Sequence, residues 1–305
     1  MGALDVRVQP TTTATASWRE TAAAYLALTK PGIISLLLIT TVPTMILAEQ
    51  GIPSLWLIFA TVLGGTLAAG GANAINCYID RDIDQVMHRT SKRPLPMGKV
   101  EPTSALVFAI VIEVLAFVLL LFAANLLAAV LAVSATAFYV FIYTMWLKRS
   151  TSQNIVIGGA AGAVPPLVAW AAVTGTVGWP AVVLFAVVFF WTPPHFWALS
   201  IKYRDDYARA NVPMLPVVAT LAETKKQIFI YTALLLPVSL ALLLTGSVSW
   251  VYGIAALALG TMFIYRAWKL LGDERPGAAM GVFGYSIIYL TLIFLAVGAD
   301  QLLLR

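Results

Sequence analysis

Long apolar runs separated by short polar breaks dominate the chain from residue 22 to its end. A helix needs roughly 20 mostly apolar residues to cross a bilayer. Nine such segments lie between breaks rich in charge, Gly or Pro: 22–48, 55–79, 103–123, 126–147, 154–173, 179–201, 228–244, 250–271 and 280–302. The pattern predicts an all-α polytopic membrane protein, with nine transmembrane helices bundled around a central cavity in one domain, 21–305. Residues 1–20 are polar and rich in Thr and Ala, with no apolar core leading to a cleavage site. They read as a disordered cytoplasmic tail.

Charge orients the bundle. All of the 19 Lys and Arg except Arg305 fall in, or at the edges of, the tail and alternate loops, while the opposite loops 49–54, 124–125, 174–178 and 245–249 carry none. Basic residues collect on the cytoplasmic side, so the N-terminus is expected there. Two loops on that side, 80–102 and 202–227, are long and also acidic, and function should live in them. Each follows the second helix of a four-helix block, which hints at an internal duplication. With 60% hydrophobic and 11% charged residues, the chain is too apolar for a soluble domain. Its net charge of +5 sits in loops between spans, and this excludes a nucleic-acid face. The single cysteine, Cys77, rules out an internal disulfide and reads as a packing residue.

The end of the second span carries Asn73-Ala-Ile-Asn76-Cys-Tyr-Ile-Asp80-Arg-Asp82-Ile-Asp84. On a helix Asn76, Asp80 and Asp84 form one polar stripe, with Asp82 turned away. Like charges at this spacing repel, so a bound cation or a raised pKa must neutralise Asp80 and Asp84. Two carboxylates and an amide oxygen suit a hard divalent ion such as Mg²⁺, whose shell substrate phosphates commonly complete. Arg89, Lys92 and Arg93 follow at once, and such side chains bind phosphate. Together they describe a metal-diphosphate site.

A second group closes the sixth span: Trp191-Thr-Pro-Pro-His195-Phe-Trp197, then Lys202, Arg204 and Asp206. Lys202 and Asp206 are four apart and can share a helix face. His195 lies about two turns inside the boundary beside Pro193 and Pro194, and an intramembrane His is a functional candidate by default. Glu113, midway along the third span, pairs with a neighbouring helix or lines a cavity. Lys148, Arg149 and Asn154 form a third cytoplasmic group of phosphate contacts, and Lys30, before Pro31, is a fourth.

At these positions the sequence resembles the intramembrane prenyltransferases of the UbiA superfamily, and within it the haem-farnesylating branch. The superfamily's N-x-x-x-D-x-x-x-D motif falls on Asn76, Asp80 and Asp84. Further matching blocks are Thr29-Lys-Pro31, Arg93-Pro-Leu-Pro-Met-Gly98, Leu147-Lys-Arg-Ser-Thr151 with Asn154-Ile-Val-Ile-Gly-Gly159, Pro193-Pro-His-Phe-Trp197, and Asp206-Tyr207 with Pro213-Met-Leu-Pro216. The second D-x-x-x-D motif departs from the superfamily, with Lys202 at its first position and Asp206 at its second.

The resemblance implies farnesyl diphosphate and haem B as substrates, with Mg²⁺ as cofactor held by Asn76, Asp80, Asp84 and Asp206. It implies that Lys202 contacts diphosphate in place of a metal ligand, and that His195 helps to hold the porphyrin. It further implies a prokaryotic plasma-membrane protein active on its cytoplasmic side, with a haem A synthase or an oxidase-assembly protein as partner and no nucleic acid. A quinone-precursor or chlorin acceptor is the alternative within the same chemistry. A transporter would place polar groups near the midplane, whereas these crowd one boundary.

Overall fold

The structure, a computed structural model, describes residues 17–304. The proposed tail therefore lies almost wholly outside the described residues, but its last positions are helical. Ser17 and Glu20 form a capping box, each side chain satisfying the other's backbone N–H, and start α1 at Trp18–Leu28.

The first predicted span, 22–48, is two helices rather than one. Lys30 adopts a left-handed backbone, φ 54°, and Pro31 at the first position of α2, Pro31–Glu49, cannot donate the backbone bond that would continue α1. Among the described residues eight helical stretches are long and apolar enough to cross a membrane, and α2 adds a shorter apolar helix.

Then come α3, Leu55–Ile79, and the short α4, Arg81–Val86. After the loop follow α5, Pro102–Ala123, and α6, Leu126–Ala137. A π-helical segment, Phe138–Leu147, extends α6 into α7, Lys148–Ser150. Pro165 divides the fifth span into α8, Asn154–Ala163, and α9, Pro165–Thr174. The second half comprises α10 (Trp179–Lys202), α11 (Arg204–Arg209), α12 (Leu215–Val218), α13 (Leu221–Leu240), α14 (Trp250–Leu271) and α15 (Ala278–Leu304).

Two apolar cores organise the bundle. One joins α3, α5, α6 and α9 through small residues such as Ala68, Ala116, Ala129 and Ala171. The other joins α10, α13, α14 and α15 through larger ones, including Trp191, Tyr252, Phe263 and Tyr289. Outward faces stay apolar, as Val107, Val111, Val114 and Leu115 on α5 illustrate, which suits lipid rather than water as the surrounding medium. A smaller cluster of Ile83, Ile155, Val212 and Met214 packs the two long loops together at one end.

Candidate active site

The polar stripe survives the end of α3. Asp80 N donates to Asn76 O at 2.9 Å and Asp84 N to Asp80 O at 2.8 Å, so helical register carries across the junction with α4. Asn76, Asp80 and Asp84 are all buried. Their mutual repulsion is offset by basic side chains from elsewhere in the chain. Lys148 donates to Asp80, and Arg149 reaches the same carboxylate at 3.5 Å. Arg93 Nη1 bridges both oxygens of Asp84, at 2.9 and 2.7 Å. Burial works against the Arg93 charge, but the groups around it, the Asp84 carboxylate foremost, together outweigh this and raise its pKa.

Asn76 is the hub. Its Nδ2 donates to Asp80 Oδ2 at 2.6 Å and to Thr144 Oγ1 at 3.1 Å, while its Oδ1 accepts from Lys30 Nζ at 2.7 Å. Thr144 and Lys148 reach this point because the π-helical segment re-phases the turns ahead of α7. The Thr144 hydroxyl donates back to Tyr139 O at 2.9 Å, five residues earlier, as a π-helix dictates, and such segments concentrate at functional sites. Nothing in the hydropathy pattern marked this segment, so Thr144 was not foreseen.

Asp82 does turn away from the stripe, and it has a partner of its own. Arg149 grips it with two bonds of 2.7 and 2.8 Å and holds its carboxyl at about 2.

The second constellation departs from expectation. The helix breaks at Tyr203 between α10 and α11, so Lys202 and Asp206 do not share a face. Lys202 is exposed, its ammonium 5.5 Å from the centre of the Tyr203 ring. Arg89 lies over the same ring at 5.4 Å. Asp206 is instead turned to the first long loop, accepting from the backbone N–H of His88 at 3.3 Å and of Arg89 at 3.0 Å, and from Arg209. Arg209 is therefore a site neighbour that the sequence reading missed. Lys92 and Arg204 are exposed at the same end. Asn154 is wholly buried, its Nδ2 donating to Thr151 O at 2.7 Å and its Oδ1 without a partner.

His195 is buried deeper in α10, with Nδ1 2.7 Å from Ser286 Oγ. Glu113 takes a hydrogen bond from Thr136 of α6 at 3.0 Å, a helix-to-helix pair.

Asn76, Asp80, Asp84 and Asp206 are all oxygen donors, the set a hard divalent ion takes. Among the described residues no three His, Cys, Asp or Glu side chains already converge as a metal cage. The stripe is closed by Lys30, Arg93, Lys148 and Arg149. An entering polyanion would compete for those cations and release the carboxylates.

Comparison with known proteins identifies the family of the chain. The model of the UbiA prenyltransferase family matches residues 37–296. A protein of Saccharopolyspora erythraea named protoheme IX farnesyltransferase 1 is 55% identical over 93% of this chain and 91% of its own length. A protoheme IX farnesyltransferase of Parafrankia is 53% identical over 93% and 92%. One of Chloroflexus aurantiacus is 51% identical over 98% of this chain, which spans only 50% of that relative. Among solved structures, a digeranylgeranylglyceryl phosphate synthase superposes with a TM-score of 0.76 at 20% identity, covering 92% of this chain and 99% of that one. A UbiA homologue from Archaeoglobus fulgidus bound to GPP and Mg²⁺ gives 0.61 at 16%, covering 90% and 99%. The family match over most of the chain and relatives above half identity lead to one conclusion: this chain belongs to the UbiA prenyltransferase family.

Proposed function

We propose that this chain transfers a farnesyl group from farnesyl diphosphate to a vinyl group of haem B (protohaem IX), giving haem O. The observation that carries the reading is the buried Asn76, Asp80, Asp84 stripe matched by Lys30, Arg93, Lys148 and Arg149. It stands in a chain 53–55% identical to protoheme IX farnesyltransferases over 93% of its length.

The oxygen donors suit Mg²⁺, which Asn76, Asp80, Asp84 and Asp206 would hold. When bound, that ion supplies counter-charge to the diphosphate. The basic side chains Lys30, Arg89, Lys92, Arg93, Lys148, Arg149, Lys202 and Arg204 surround the leaving diphosphate, where charge grows in the transition state. Asn154, with its unpartnered oxygen, faces the same work of orienting substrate. The C1–O bond of the farnesyl chain breaks and its electron pair leaves with the diphosphate. The haem vinyl group attacks the allylic cation, water adds to the resulting carbon, and one proton is released. Apolar helices around the tail exclude water until the carbon–carbon bond has formed.

The distribution of Lys and Arg supports a mouth on the cytoplasmic side of a prokaryotic plasma membrane. Haem O, with its added farnesyl chain, is more apolar than its precursor, so an enzyme of haem A formation or an oxidase-assembly protein would collect it within the bilayer.

The test uses purified protein in detergent with Mg²⁺, haem B and farnesyl diphosphate. The expected product is a haem heavier by one farnesyl group and one hydroxyl. Absence of that product, with prenylation of 4-hydroxybenzoate instead, would move the acceptor assignment to a quinone precursor.

A further inference from the structure

His195 lies seven residues before Lys202 on α10, which at 1.5 Å per residue puts it on the order of 10 Å below the basic mouth. Its ring is held in an aromatic clamp. Trp191 stacks on it at 4.2 Å between centroids, Phe283 at 4.6 Å, and Phe196 meets it edge-on at 5.2 Å.

The hydrogen bonds around the ring fix its tautomer. Ser286 Oγ donates its single proton to Phe283 O at 2.6 Å, so towards His195 Nδ1, 2.7 Å away, it can only accept. Nδ1 therefore carries the ring proton and Nε2 carries the lone pair. The nearest indole N–H is also committed, Trp191 Nε1 donating to Ser286 O at 2.7 Å. Nε2 makes no hydrogen bond among the described residues, and it is not one of the sealed polar atoms, for the residue keeps 8% exposure. A histidine serving packing alone would be expected to satisfy both nitrogens. This one is oriented through Nδ1 and presents an unprotonated Nε2, the arrangement found in metal-ligating histidines.

We propose that His195 Nε2 is the axial ligand of the haem substrate's iron, and that Ser286 is the positioning residue that sets its tautomer. The proposal rests on the haem-farnesylation reading. Binding forms one dative bond from the Nε2 lone pair to iron, displacing a water ligand and no proton. An iron anchored at this depth fixes the porphyrin beneath the diphosphate site and holds a vinyl group for attack.

Resonance Raman spectra of the purified protein loaded with ferrous haem B, without farnesyl diphosphate, test this directly. The wild type should show an iron–histidine stretching band. His195→Ala should lose it and regain a band with added imidazole. Ser286→Ala should keep the band at lower frequency, because its Nδ1–H no longer donates to the hydroxyl. Calorimetric binding of farnesyl diphosphate with Mg²⁺ at wild-type affinity certifies that each variant is folded. A band that persists in His195→Ala, or a wild type that farnesylates haem B without ever showing one, overturns the ligation. An unshifted band in Ser286→Ala overturns the role of Ser286. A wild type that neither binds nor farnesylates haem B overturns the functional reading instead.

Discussion

Lys30 Nζ donates to Asn76 Oδ1 at 2.7 Å, tying the break between α1 and α2 to the last turn of α3. The bond also settles which way the Asn76 amide faces, since its nitrogen is occupied by Asp80 and Thr144. Removing this side chain strips partners from three groups in a buried setting, and each unsatisfied group costs roughly 1–3 kcal/mol. Asn76→Ala should lower the unfolding temperature in detergent and reduce prenyl transfer by about tenfold or more. Transfer at the wild-type rate would show that the stripe needs only its two carboxylates.

Arg93 meets Asp84 through one nitrogen alone, Nη1, which bridges both carboxylate oxygens. Its remaining N–H donors are therefore left for an anion. A lysine can reproduce a one-nitrogen contact but not those further donors. Arg93→Lys should keep the thermal stability of the wild type while raising KM for farnesyl diphosphate about tenfold, the loss of roughly 1.4 kcal/mol. Asp84→Asn should act on both, because it leaves a half-buried guanidinium uncompensated. Steady-state kinetics and thermal unfolding of the two variants separate these effects. An Arg93→Lys protein that unfolds early with normal KM would mean that Arg93 serves the fold alone.

What the sequence revealed followed from what leaves a strong periodic or compositional trace. Apolar runs long enough for a bilayer are unmistakable, and the i, i+4, i+8 spacing of Asn76, Asp80 and Asp84 needs only a helix to become a stripe. The break at Lys30 was hidden because apolar residues flank it on both sides, although Pro31 marked the place. The π-helical segment depends on how Tyr139, Tyr143 and Thr144 pack, which leaves no trace in hydropathy. Ser286 was equally invisible, an ordinary hydroxyl in an apolar span that matters only because α15 carries it against His195. The expected pairing of Lys202 with Asp206 assumed helix continuity that Tyr203 interrupts.

Lys202 and Arg89 lie over the same Tyr203 ring. A cation over an aromatic face at an exposed site gains about 0.5–1 kcal/mol, so this arrangement orders Lys202 without burying it. Lys202→Gln should lower thermal stability by no more than about 1 kcal/mol and raise KM for farnesyl diphosphate several-fold, with a smaller change in KM for haem B. Equal changes in both constants would place Lys202 outside diphosphate binding.

Gly71 on α3 faces Glu113 on α5, where an added Cβ would stand 2.6 Å from Glu113 Cγ and Oε1. Glu113 has little room to give way, because Oε1 is held by Thr136 and Oε2 is buried without a partner. Gly71→Ala should therefore destabilise the protein by about 1–3 kcal/mol, the ordinary cost of overpacking. It should also lower activity, since α3 carries Asn76 five residues further on. Glu113→Ala removes both the obstacle and an unsatisfied oxygen, so alone it should cost less than a typical core truncation. The double variant should recover most of what Gly71→Ala loses, giving a coupling energy in the cycle of at least about 1 kcal/mol. Thermal unfolding of the four proteins in detergent reads the coupling, and simple addition of the two single costs would show that α3 and α5 meet elsewhere.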